Sequence, residues 1–280
     1  MSSGVFTPGK VILAGEHAVV YGKMGLVANI GLGVKVRIND GGGAKNNELV
    51  SRAVELAGGN ENLGVEIESE LPIGSGLGSS AAVSAAVIRA VREYLGKPIG
   101  QDELFQLCWE CEKLAHGNSS GADPASVVYG GLIVYIKGQP FEKLRIVKPI
   151  KLLLVNTGKP EESTKEMVEL VAGNPEKERI IEAVEKLVVQ VRDKLIRGEG
   201  VGELLNQNGL LLEELGVVGN RAKKLSKELR EIGAHVKITG AGGAKKGSGM
   251  MIVVKDDLTQ IKKLLDNRKI NYLETEIGGQ

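Results

Sequence analysis

An α+β fold in two domains is what these 280 residues predict, on three observations. Up to about residue 148 short strand-like runs mix with helical ones, while residues 175–232 are almost wholly helical. Strand-like runs then return at His235-Val236-Lys237-Ile238 and Met250-Met251-Ile252-Val253-Val254. The change of character near residue 148 divides the chain into 1–148 and 149–280.

From the N-terminus, residues 5–7 and 11–14 read as short strands with Pro8-Gly9-Lys10 between them or opening the second. Residues 26–38 form a strand, with alternation clearest in Val34-Lys35-Val36-Arg37-Ile38. A polar, glycine-rich turn over 41–47 leads into a helix over 48–57, and Val65-Glu66-Ile67-Glu68 alternates as a strand does. A helix rich in alanine and valine covers 80–95, small enough to pack closely, and another covers 102–116 with Asp102 in its first turn and His116 at its end. Residues 117–124 are dense in turn formers and read as a surface turn holding one carboxylate, Asp123, ahead of Ala125 to Tyr129. Apolar runs of strand length occupy 132–136 and 152–155, a turn covers 156–160, and Ser163-Thr164 caps a helix to about Ala172. The helical stretch 175–232 breaks at 198–200 and around 216–219, which gives three helices. A glycine-rich loop over 239–249 joins two strands, and a helix over 258–265 and a strand near 271–276 finish the chain.

Lys and Arg number 36 against 35 Asp and Glu, so no overall field exists to hold nucleic acid or an anionic membrane, and phosphate binding must be local. No apolar run approaches the roughly 18 to 20 residues that span a bilayer, and no basic region with an apolar stretch and cleavage site opens the chain. A cytoplasmic location is expected, without nucleic-acid or membrane partners. Cys108 and Cys111 are spaced C-x-x-C, but inside a helical pattern rather than at a helix start after a strand, so buried structural thiols are expected instead of a redox pair.

The chain is organised around Leu71-Pro72-Ile73-Gly74-Ser75-Gly76-Leu77-Gly78-Ser79-Ser80-Ala81-Ala82. Gly74, Gly76 and Gly78 let backbone approach an anion, and the helix that starts near Gly78 adds unpaired N–H groups and the positive end of its dipole. Ser79 and Ser80 can donate to phosphate or ligate magnesium. This is not the commoner G-x-x-x-x-G-K-[ST] loop, and a glycine turn that merely allows tight strand-to-helix packing is the competing reading. His17, in Gly15-Glu16-His17-Ala18-Val19-Val20-Tyr21-Gly22, reads on its own as a hydrogen-bonded core histidine.

Taken in order, the motifs at 8–22, 71–82 and 237–249 resemble those of the GHMP kinase superfamily, and the match runs through the whole chain. Gly15 to Gly22, Glu112 to Asp123, and Asn156-Thr157-Gly158-Lys159-Pro160 with Ser163-Thr164-Lys165 are similar to the mevalonate kinases within it. The resemblance implies a two-domain fold with the active site in the cleft between domains, and ATP-dependent phosphorylation of the 5-hydroxyl of (R)-mevalonate with Mg2+. It implies Asp123 as base or charge-stabilising carboxylate with Lys10 as its cationic neighbour, and Ser80 and Glu112 as metal ligands. Pro72, Gly74, Ser75, Gly76, Leu77, Gly78, Ser79, Ser80, Ala81, Gly242 and Gly243 would take the nucleotide. Glu16, His17, Thr164, Gly240 and Ala241 would face mevalonate, and a homodimer is allowed. A kinase acting on phosphomevalonate, a mevalonate 3-kinase, and a non-catalytic sensor of the same fold stay as alternatives. Two departures stand out: Met24, where the family often has proline, and Ala244-Lys245-Lys246-Gly247-Ser248, where further glycines and a cysteine are usual. An inward course of the loop, with those lysines lining the phosphate site, is the expectation, and solvated surface charges are the alternative.

Overall fold

The computed structural model describes residues 4–41, 47–116 and 120–278, without the side chains of Ala115 and His116. Residues 42–46 of the expected turn over 41–47, the loop residues 117–119 and the placement of the His116 side chain therefore lie outside the described residues. In order, the elements are β1 (Val5–Ala14), a 3-10 turn (Ala18–Tyr21), β2 (Gly25–Asn39), α1 (Glu48–Leu56), β3 (Gly64–Ser69), α2 (Ser79–Tyr94), α3 (Gln101–His116) and α4 (Ala122–Tyr129). They continue with β4 (Leu132–Tyr135), β5 (Glu142–Leu144), β6 (Ile150–Asn156), α5 (Thr164–Ala172), α6 (Lys177–Ile196), α7 (Gly202–Glu214) and α8 (Asn220–Glu231). The last are β7 (His235–Ile238), β8 (Met250–Val254), α9 (Thr259–Asn267) and β9 (Tyr272–Ile277). No described helix is long and apolar enough to cross a membrane. The α+β class is the one the sequence predicts.

The chain forms two compact units, each drawn from several segments. One runs through Lys10, Asn29–Ile73 and Gly78–Gly130; the other holds Val11–Ala28, Gly74–Leu77 and the chain from Gly131.

In the first unit β2 pairs antiparallel with β3, from Val34 opposite Ser69 to Asn39 opposite Gly64. The α2 helix is apolar or small on nearly every side, with Ala81, Ala82, Ala85, Ala86, Val87, Ile88, Ala90 and Val91 buried, so α1, α3 and α4 can all pack on it. Asn47 caps α1, its side chain accepting from the N–H of Leu49 at 3.1 Å and of Val50 at 3.3 Å.

In the second unit the start of β2, Gly25 to Ala28, pairs with β4, and a four-stranded sheet runs β7-β8-β6-β9, antiparallel throughout. Helix α7 lies on β7 so closely that a Cβ on Gly209 would stand 2.3 Å from the Val236 carbonyl oxygen, which is why glycine occupies that helical position. Ser163 closes a capping box on α5: its Oγ accepts from Glu166 N, and Glu166 accepts in return from Ser163 N. Thr164 is thus the first helical residue rather than part of the cap.

Three sequence expectations change. Residues 5–14 are one strand and not two: β1 lies at the end of its sheet, the position in a sheet where a proline is tolerated. Ala122, Asp123 and Pro124 open α4 instead of ending a surface turn: Gly121 takes φ +86° at its cap, a first-turn proline loses no intrahelical bond, and a first-turn aspartate suits the helix dipole. Strand β5 was invisible because three residues, Glu142-Lys143-Leu144, carry no readable alternation.

Candidate active site

On the first unit, β1 delivers Lys10 into the interior at 3% exposure, and its Nζ stands 2.9 Å from Oδ1 of Asp123 in the first turn of α4. Gly78 caps α2 with φ +68°, and a Cβ there would lie 2.7 Å from Lys10 Cγ. Only glycine permits both that conformation and the approach of the lysine stem. The ammonium, the aspartate and the amide-rich start of α2 with Ser79 and Ser80 are thereby gathered on one unit.

The fit of a magnesium ion can be tested on the residues present. Ser80 Oγ is buried with no hydrogen-bond partner among the described residues. Glu112 is 3% exposed on α3, one turn after Cys108, whose thiol donates to the Ala81 carbonyl at 3.4 Å. The face of α3 that carries Cys108 and Glu112 is thus the one turned toward the start of α2. A hydroxyl and a carboxylate are hard oxygen donors, the kind magnesium takes while drawing its other ligands from phosphate and water. Among the described residues there is no group of three or more His, Cys, Asp or Glu that could hold a metal ion. The donors fit. Burial pushes the Cys108 thiol well up and that of Cys111 to about 11, so both are inert protonated thiols, as their helical setting predicts.

On the second unit the first and third motifs interlock. Lys237, with its side chain fully buried, donates to Glu16 Oε1, to the Ile12 carbonyl at 3.1 Å and to the Ile238 carbonyl at 2.7 Å. Those three acceptors match the three hydrogens of an ammonium. Thr239 Oγ1 accepts from Ile12 N at 2.9 Å. His17 Nε2 lies 2.9 Å from the Ala241 carbonyl, so that nitrogen carries the hydrogen. His17 has φ +60°, a left-handed conformation that a histidine holds only against strain.

Burial lowers the His17 pKa from 6.5 to about 4, against a small upward push from the Ala241 bond. The sign follows: the unfolded chain binds this proton near pH 6.5 and the folded one only near 4, so stability falls as pH drops across that window. At about 1.4 kcal/mol per pH step, the wild type should lose roughly 3 kcal/mol more than His17→Gln between pH 7 and pH 4. Urea unfolding of both proteins across that range checks it; parallel pH profiles would rule the buried neutral imidazole out.

The second and third motifs meet through bare backbone. Gly76 has φ +83°, and a Cβ there would stand 2.8 Å from the Thr239 carbonyl oxygen; one on Gly240 would be 3.3 Å from Gly76 Cα. Met250 N donates to Ser75 O at 3.1 Å. Leu77 and Ala81 are buried, while Pro72 is half-buried and Gly74 exposed. Gly242 and Gly243 turn inward, where added Cβ atoms would come within 2.1 Å of Val217 O and 2.2 Å of Gly247 O. Thr164 is exposed at the start of α5. The two lysines of the altered loop are exposed as well: Lys246 pairs with Glu161, and Lys245 N donates to Glu162 Oε1 at 3.0 Å. That is the solvated course and not the inward one.

Lys237 and Thr239 were missed as site-building residues. The signal was present, since a lysine flanked by Val236 and Ile238 in a four-residue strand needs a buried partner.

A family model described as the GHMP kinases N terminal domain matches residues 48–131. The mevalonate kinase of Archaeoglobus fulgidus is 34% identical over 257 residues, covering 84% of this chain and 88% of that protein. The chain belongs to the mevalonate kinase family. Among solved structures, the Methanococcus jannaschii mevalonate kinase shares its fold with a TM-score of 0.88 at 23% identity, over 99% of this chain and 98% of that one. The L. major mevalonate kinase in complex with R-mevalonate gives 0.85 at 25% identity, over 99% and 96%. The resemblance read from the three motifs is borne out, and with it the GHMP kinase fold. The family model spans Gly78, Ser80, Glu112 and Asp123, whereas Lys10 lies outside it.

Proposed function

We propose that this protein transfers the γ-phosphoryl group of ATP to the 5-hydroxyl of (R)-mevalonate, giving 5-phosphomevalonate. The observation that carries the reading is the Lys10–Asp123 pair beside the glycine cap of α2, in a chain of the mevalonate kinase family. Phosphoryl transfer asks a protein for positioning and charge neutralisation, and these groups supply both. The first-turn amides of α2 hold the β- and γ-phosphates. Asp123, a third exposed, accepts the hydroxyl proton or stabilises the charge that develops there, and Lys10 favours the alkoxide. Ser80 and Glu112 would hold the magnesium ion, which would supply neutralisation of phosphate charge. Glu16, His17, Thr164, Gly240 and Ala241 form the acceptor side, with Glu16 acting through Lys237. Because His17 is neutral near pH 7 and Lys237 is engaged by three acceptors, the acceptor residues named here offer no cation for a second phosphate, which favours mevalonate over phosphomevalonate. As functional halves we propose 1–148 for nucleotide and phosphate and 149–280 for the remainder, a division of roles distinct from the interleaved compact units. The cytoplasm, where free thiols such as Cys108 and Cys111 persist, is its proposed location.

A coupled ADP-release assay offering mevalonate, phosphomevalonate, homoserine and galactose with Mg-ATP tests the assignment. Turnover should be confined to mevalonate, and faster turnover of any other acceptor would overturn it. Glu112→Gln should raise the magnesium concentration for half-maximal activity by about tenfold or more, and Ser80→Ala by less, since water replaces a neutral hydroxyl. Equal, negligible shifts in a magnesium titration would remove both residues from the metal. Lys245→Ala with Lys246→Ala should leave KM for ATP unchanged at low and high salt, because both are solvated charges. A salt-dependent rise would show that they reach the nucleotide.

A further inference from the structure

Next to the turn that follows β6, the second unit holds a cavity of about 130 Å3 lined by Asn156, Thr157, Arg221, Lys224, Leu225, Arg268 and Ile270. We propose that it is a binding site for a compact phosphate-bearing anion, separate from the glycine-rich phosphate loop.

Three cations line this space, each exposed to solvent. Arg268 is paired with Glu228, but Arg221 and Lys224 have no carboxylate within ion-pair distance among the described residues. Arg37, Arg52, Arg92, Arg179, Arg192, Arg197 and Arg230 each hold one, whereas Arg89 and Arg145, like Arg221, do not among the described residues. Arg221 and Lys224 are also in an unfavourable place for cations. They stand one turn apart in the first two turns of α8, where like charges repel and the helix dipole is positive. Gly219 gives α8 no side-chain cap, and no acidic residue occupies its first turn. Without an anion, these charges oppose one another. A bound anion attracts each of them and the positive end of α8, which offsets that repulsion.

The opposite wall supplies a neutral donor. Asn156 Oδ1 accepts from Gly158 N at 2.8 Å, which fixes the amide so that its nitrogen, unpartnered among the described residues, remains to donate. Leu225, 5% exposed, and Ile270 form an apolar lining, which strengthens charge-assisted hydrogen bonds at the rim. An arginine fork grips a phosphate edge in two parallel bonds. The volume equals that of about four waters at roughly 30 Å3 each, room for a phosphate or a diphosphate and too little for a nucleoside.

The test is isothermal titration of the intact protein with inorganic phosphate and with diphosphate at low salt. Arg221→Gln with Lys224→Gln should weaken binding at least tenfold, while Lys227→Gln, which removes a neighbouring α8 charge that does not line the cavity, should leave it within twofold. The double variant should keep wild-type kcat for mevalonate. An equal loss in Lys227→Gln would reduce the effect to the general field of α8. Absence of saturable binding, unchanged binding in the double variant, or full displacement of diphosphate by ATP would each overturn the proposal, the last by assigning the anion to the phosphate loop.

Discussion

Asp123→Asn is expected to lower kcat by about 100- to 10,000-fold while leaving KM for ATP close to wild type. The substitution keeps the shape of the side chain in the first turn of α4 and removes its charge, so Lys10 Nζ loses a carboxylate 2.9 Å away without losing its packing. An amide cannot take the hydroxyl proton, and it no longer complements the ammonium buried at 3% exposure. The nucleotide contacts assigned to the start of α2 do not include this carboxylate, which is why ATP binding should persist. Steady-state kinetics with each substrate varied separates the two effects. A variant that turns over near the wild-type rate would remove Asp123 from the chemistry.

Lys237→Met should destabilise the protein by about 3–5 kcal/mol, the usual result of stripping one partner from a fully buried ion pair. The Glu16 carboxylate would stay buried opposite a thioether, and the carbonyls of Ile12 and Ile238 would lose their shared donor. Adding Glu16→Gln should recover a substantial part of that loss, because the stranded charge is removed along with its partner. Urea denaturation of the wild type, both single variants and the double variant gives the comparison. A double variant no more stable than Lys237→Met would show that the lysine works through its carbonyl bonds and not through Glu16.

Much of this was legible in the residues, for identifiable reasons. Helices α6, α7 and α8 follow from apolar spacing broken at glycines near 198 and 216, and α2 follows from its run of small residues after Gly78. The Lys10–Asp123 pairing, which the family resemblance implies, is present at hydrogen-bonding distance. What was not legible depends on tertiary context. Pro8 reads as a strand breaker until β1 is placed at a sheet end, and Pro124 reads as a turn until Gly121 is seen capping α4. The partnership of Lys237 with Glu16 joins residues 221 positions apart, and no local pattern carries such a contact. The course of Lys245 and Lys246 depended on Glu161 and Glu162, which become their neighbours only when the 239–249 loop folds back on the turn after β6.

The assignment of phosphoryl transfer to Lys10 and Asp123 acting as one unit is tested most directly by a kinetic cycle of Lys10→Met, Asp123→Asn and the double variant, with kcat for mevalonate as the readout. If the ammonium and the carboxylate act together, the double variant should be about as slow as the slower single variant, since removing either already disables the pair. Losses that multiply would contradict that assignment and show two residues acting independently.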